Sequence, residues 1–148
     1  MKNPFIQLAT LMLISAVAAG MTWALKGPPA TDNWIECDPS NIKEDEICFS
    51  DVEGNVLWVD ARLRSEWQEN GLTGSILWNL DPKEDQQQFE AQAAMKVLEA
   101  DLVVVYCGSE ACGTSREIAK KIKTLDLGPP VKVLFGGWDY IKGSSSEP

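Results

Sequence analysis

Five consecutive residues, Leu102-Val103-Val104-Val105-Tyr106, constrain this chain more than any other feature. A β-branched and aromatic run without polar alternation belongs to a strand buried on both faces. Such strands occur in parallel sheets, whose neighbours are joined by crossover helices. Val56-Leu57-Trp58-Val59, ending at Asp60, and Lys132-Val133-Leu134-Phe135, closed by Gly136-Gly137, read as further strands. Ser75-Ile76-Leu77-Trp78 reads as a shorter one. Between them, 65–69 forms a short helix stopped by Asn70-Gly71. An amphipathic helix over 84–99 places Phe89, Ala93 and Val97 on one face, and one over 114–125 places Ile118, Ile122 and Leu125 together. The expected fold is a single α/β domain over 41–143, a mostly parallel sheet flanked by helices.

Ligands of such sheets bind beyond the carboxyl ends of the strands. The segment there is Cys107-Gly108-Ser109-Glu110-Ala111-Cys112-Gly113-Thr114-Ser115-Arg116. A thiol at a strand end, ahead of a helix, meets backbone N–H groups and a helix N-terminus that favour an anion. These lower its pKa from about 8.5 and keep Cys107 nucleophilic near neutrality. The anion-binding loop comprises Gly108, Ser109, Glu110, Ala111 and Gly113, the glycines allowing a tight turn and close approach to a ligand. The alternative is that Cys107 is a small buried hydrophobe. Cys112 is a candidate resolving thiol, able to attack a persulfide or sulfenic acid on Cys107 and leave a disulfide; its alternative is an inert loop cap.

Composition narrows the chemistry further. With no histidine among 148 residues, Ser-His-Asp and Cys-His catalysis and imidazole-bound zinc are excluded. A net charge of −9 argues against nucleic acid as a partner. Neither a metal nor a cofactor is expected. Cys37 and Cys48 are read as a structural disulfide joining a linker to the domain; a four-thiolate zinc site is the rival, but their spacing does not suit it.

Four motifs in order resemble the rhodanese-like sulfurtransferase domain. Val59-Asp60-Ala61-Arg62 with Glu66-Trp67 is similar to its "VDxR…E-aromatic" segment, and Gly71-Leu72-Thr73-Gly74-Ser75-Ile76 to its "GHIPGAI" turn, with Leu72 where His is usual. Val104-Val105-Tyr106-Cys107 resembles the strand and nucleophile, and Val133-Leu134-Phe135-Gly136-Gly137-Trp138 the closing element. The resemblance implies a rhodanese fold in which a Cys107 persulfide carries sulfur from a small donor to a thiophilic acceptor or protein thiol. It also places Asp60 and Arg62 near the active-site face. Arg62 and Glu66 read as a structural ion pair, and Trp67, Trp78 and Trp138 as packing residues. Such sulfurtransferases often carry a cation in the loop. Here the sixth position is Cys112 and the loop holds Glu110, so thiosulfate gains little attraction as a donor. Cysteine phosphatases place Arg six residues after the nucleophile, which here is Gly113. Besides sulfur transfer, two functions stay open: a dithiol redox module using Cys107 and Cys112, and a catalytically silent binding module.

Residues 5–25 carry no charge, and Gly27-Pro28-Pro29 follows. At about 1.5 Å per residue a helix of that length spans a bilayer. The segment over 1–26 is expected to be a transmembrane signal anchor, with a cleavable signal peptide as the rival because Ser15-Ala16-Val17-Ala18-Ala19 offers a cleavage site. Either way the domain faces the extracytoplasmic side, the periplasm if the cell is bacterial, and is secreted there if the segment is cleaved. Residues 27–40 read as a linker and 144–148 as a disordered tail.

Overall fold

The computed structural model describes residues 8, 12, 15, 37–40, 42–108 and 113–144. The chain divides into two units, Met1–Asn33 and Trp34–Pro148. In the first, Leu8, Met12 and Ser15 are helical and exposed; the rest of the expected membrane segment lies outside the described residues. Among the described residues, no helix is long and apolar enough to cross a membrane.

The second unit is built on a five-stranded sheet of β1 (Glu46–Ile47), β2 (Val56–Asp60), β3 (Ile76–Leu77), β4 (Leu102–Tyr106) and β5 (Val131–Leu134), in spatial order β1-β5-β4-β2-β3. Every pairing is parallel. The helices are α1 (Arg64–Asn70), α2 (Gln86–Val97), α3 (Gly113–Thr124) and α4 (Gly137–Ser144), with a short 3₁₀ turn at Phe49–Asp51. The α/β expectation holds, with two elements it lacked, β1 and α4.

Strand β4 sits centrally because it is apolar on both faces. Val103, Val105 and Cys107 point into one core with Leu57, Val59, Phe89, Ala93, Val97, Ile118 and Ile122. Val104 and Tyr106 point into the other with Leu134 and Ile141, against which Trp58, Leu72 and Trp138 pack. The period of two along the strand thus assigns its side chains to alternate layers. Helix α2 turns its Phe89-Ala93-Val97 stripe inward, as its spacing predicts. Its start is fixed by Asp85, whose side chain accepts hydrogen bonds from the backbones of Gln87 at 3.0 Å and Gln88 at 3.1 Å.

At the outer edge, a disulfide joins Cys37 to Cys48, directly after β1, with Cα atoms 5.7 Å apart. The buried Glu46 of β1 pairs with Arg116 of α3 and lies 3.7 Å from Lys43 Nζ.

From β2 the chain moves outward to β3, and from β4 it moves the opposite way to β5. The crevice for a ligand therefore opens at the carboxyl ends of β2 and β4.

Candidate active site

At that crevice, residues 61–63 after β2 and Cys107-Gly108 after β4 line a cavity of about 350 Å³, with Glu66, Asn79, Leu80, Asp81 and Thr114 completing its wall. A larger cavity of about 590 Å³ lies at the amino ends of the strands, beside Asp45, Val131 and Lys132, and contains no thiol. Size would favour the larger, but the candidate thiol lines the smaller.

Cys107 is 2% exposed and its sulfur is disulfide-bonded. Its Sγ lies 3.4 Å from Oγ of Ser115, a buried hydroxyl in the first turn of α3 that can donate to sulfur. The sequence motif alone gives Ser115 no role. The available signal was its place, within the first turn of the helix that follows the thiol loop.

Helix α4 holds the strand end from the other side. Its Trp138 N–H donates to the Cys107 carbonyl at 2.6 Å, and its Asp139 N–H to that of Gly108 at 3.2 Å. The turn into α4 requires glycine at 136. There φ is +71°, and a Cβ would stand 2.8 Å from Tyr140 Cβ. A Cβ on Gly108 or on Gly113 meets nothing within 4 Å among the described residues. Ser109, Glu110, Ala111 and Cys112 lie outside the described residues.

Asp60 and Arg62 form the floor between β2 and β4. The Arg62 guanidinium forks onto Asp60, with Nε 3.0 Å and 3.2 Å from the two carboxylate oxygens and one terminal nitrogen 2.7 Å from Oδ2. The other terminal nitrogen donates to Asn70 Oδ1 at 2.9 Å. The ring of Trp138 lies over the guanidinium, 4.1 Å to its centroid. Burial pulls the Arg62 pKa down, but bonding to Asp60 outweighs it and the net shift is upward. Asp60 accepts further from the Tyr106 hydroxyl at 2.8 Å, and that hydroxyl accepts from the Leu72 N–H at 3.2 Å. Burial, with the Asp60 charge beside it, pushes the Tyr106 pKa up to about 12.

The expected Arg62–Glu66 pair is replaced by Arg62–Asp60. Position 62 precedes α1, so helical i,i+4 spacing does not apply to it, and Glu66 instead accepts the Leu63 N–H at 3.1 Å. Arg62 lines the cavity, while Asp60 is paired behind it. Trp78 is buried in the core, and Trp67 donates to Ser75 Oγ at 3.0 Å. Arg116, the first cation after the thiol loop, is turned toward Glu46 on β1.

A family model described as "Rhodanese-like domain" matches residues 51–144. No curated protein matches the chain. Among solved structures, the N-terminal domain of a putative ATP/GTP binding protein from Clostridium difficile 630 is similar at 17% identity and TM-score 0.47, covering 68% of this chain and 98% of that one. The BH2092 protein from Bacillus halodurans is similar at 18% identity and TM-score 0.47, covering 98% and 85% respectively. A protein of unknown function from Rhodopseudomonas palustris CGA009, described as a possible tyrosine phosphatase, shows 23% identity and TM-score 0.39 over 60% of this chain and 67% of that one.

Proposed function

We propose that this chain, which belongs to the rhodanese-like domain family, is a sulfur-exchange domain whose Cys107 alternates between thiolate and disulfide. The observation that carries this reading is the bonded Cys107 sulfur at the carboxyl end of β4, with a serine hydroxyl 3.4 Å away. Cys37 and Cys48 are joined to each other, so among four cysteines the sequence offers Cys112 as the partner. In reduction, an incoming thiolate bonds to one sulfur of the pair. The S–S bond breaks, and its electrons leave on the other sulfur as a thiolate. A second thiolate then displaces the first as an external disulfide. The Ser115 hydroxyl and the start of α3 favour the anionic form of Cys107.

Family membership favours a second reading of the same atom, sulfur transfer. Here the Cys107 thiolate takes the outer sulfur of a sulfane donor, releasing the donor as a thiolate and leaving a Cys107 persulfide. Attack by Cys112 on Cys107 Sγ expels hydrosulfide and forms the disulfide. Thiosulfate is a poor donor in this reading. Arg62, Arg64 and Arg116 are committed to Asp60, Glu84 and Glu46, and the loop sequence holds no cation.

Mass mapping of alkylated peptides from the full chain, with and without reductant and a sulfane-sulfur donor, tests both readings. The exchange reading expects a Cys107–Cys112 peptide that opens on reduction, and in Cys112→Ser a trapped adduct on Cys107. A gain of one sulfur removable by cyanide identifies the transfer route. A Cys107 that is already reduced, alkylates slowly and takes up no sulfur refutes both, and leaves a catalytically silent binding module.

The uncharged run at 5–25 and the Cys37–Cys48 disulfide support a further part of the proposal, a tether holding the domain outside the cytoplasm. Carbonate extraction and protease protection of the full chain in cells test it; a chain that leaves the membrane in carbonate refutes the tether.

A further inference from the structure

The cavity wall beside Cys107 has an unusual charge balance for a family associated with sulfur oxyanions. Among the described residues it presents Glu66 and Asp81, with Arg62 as its single cation, and Arg62 is already neutralised from behind by Asp60 at 2.7 Å. The other arginines of neighbouring elements are spoken for, Arg64 of α1 by Glu84 and Arg116 of α3 by Glu46. Neither Glu66 nor Asp81 forms an ion pair among the described residues. Glu66 accepts the Leu63 N–H at 3.1 Å and Asp81 the Lys83 N–H at 2.9 Å, contacts that leave their charges in place. Beside them, Ala61, Leu63 and Leu80 supply apolar wall, and Leu63 is 54% exposed at the rim.

We infer that the site selects thiol partners carrying positive charge and discriminates against anionic ones, with Glu66 and Asp81 as the specificity-determining residues. This rests on the exchange chemistry proposed for Cys107 and adds the class of its partner. A compact cavity of about 350 Å³ is roughly 9 Å across, within the ~10 Å screening length of 0.1 M salt, so both carboxylates act on anything that reaches the sulfur. Two net negative charges at that range change the local concentration of a singly charged probe roughly five- to tenfold for each unit of charge.

The test uses the oxidised full chain and three small thiols: cysteamine (cationic), 2-mercaptoethanol (neutral) and 2-mercaptoethanesulfonate (anionic). Second-order rate constants for reduction at Cys107, read by trapping and mapping its peptide, are normalised to thiolate concentration. The expected order is cysteamine, then 2-mercaptoethanol, then 2-mercaptoethanesulfonate, spread at least tenfold at low salt and compressed at high salt. Glu66→Gln and Asp81→Asn keep the acceptor oxygen that each backbone N–H uses, so both variants fold, and each compresses the spread severalfold. Equal rates for the three thiols, or a spread unchanged in both variants, overturn the charge inference alone. Failure of every thiol to reduce Cys107 overturns the exchange reading beneath it.

Discussion

Replacing Arg62 with Met tests how the floor of the site is held. The methionine fills much of the space left by the arginine stem, so the change removes mainly charge and hydrogen bonds. Lost are three contacts to Asp60, one to Asn70 and the cation under the Trp138 ring. Left behind is Asp60, 0% exposed, with only the Arg62 backbone N–H and the Tyr106 hydroxyl as donors among the described residues. Breaking a buried pair from one side costs about 3–5 kcal/mol, because the remaining charge stays desolvated. Removing that charge too, in Arg62→Met with Asp60→Asn, recovers at least half of the loss, since the neutral amide carries no desolvated charge, its oxygen still accepts from the Arg62 N–H and its NH2 can donate to the Tyr106 hydroxyl oxygen. Urea unfolding of the full chain followed by tryptophan fluorescence reads the difference, with Arg64→Met as the exposed-pair control expected to stay near wild type. A single variant losing less than about 1 kcal/mol, or a double variant weaker than the single, would refute the account of Asp60 and Arg62 as a coupled buried unit.

Two other perturbations have calculable outcomes. Tyr106 has its folded pKa raised to about 12, so its contribution is complete below the unfolded value of about 10 and is lost as pH rises toward 12. Across that window wild type loses about 1.4 kcal/mol per pH unit relative to Tyr106→Phe, which starts roughly 1–2 kcal/mol less stable at neutral pH; parallel pH profiles would count against the upward shift that burial and the Asp60 charge give Tyr106. Cys37→Ser with Cys48→Ser lowers unfolding stability by about 2–3 kcal/mol with the Cys107 chemistry retained, checked by urea titration and by the peptide map.

How much of this was legible in the sequence depended on the physical signal each part carried. The run 102–106 could be placed because five apolar residues in a row leave no other role, and that placement located Cys107. The helices α2 and α3 were legible through their spacing, although Leu125 falls just beyond the end of α3 and is half-buried. Strand β1 was illegible because it is two residues long and begins with Glu46, whose burial depends on Arg116, 70 positions away. Helix α4 was hidden by the two glycines that start it. Gly136 and Gly137 both have positive φ, so they read as an ending while the chain in fact turns and continues. The Asp60–Arg62 pairing escaped for a related reason: whether spacing of two or of four brings side chains together depends on where α1 begins.

The position of the Cys37–Cys48 bond gives the domain a dependence on its surroundings. The bond pins the chain directly behind β1, and among the described residues β1 is the only strand covering the outer side of β5. With the thiols reduced, that side is held by two residues of pairing with the flanking Asp45 carbonyl, the Glu46–Arg116 and Lys132–Glu44 contacts, and the packing of Ile47 and Phe49. If β1 lifts, β5 presents unpaired N–H and C=O groups along an uncovered sheet margin, a template for another polypeptide. The disulfide therefore adds to the contacts that keep this edge covered. The same sequence retained in a reducing compartment would be the more prone to join its neighbours strand to strand.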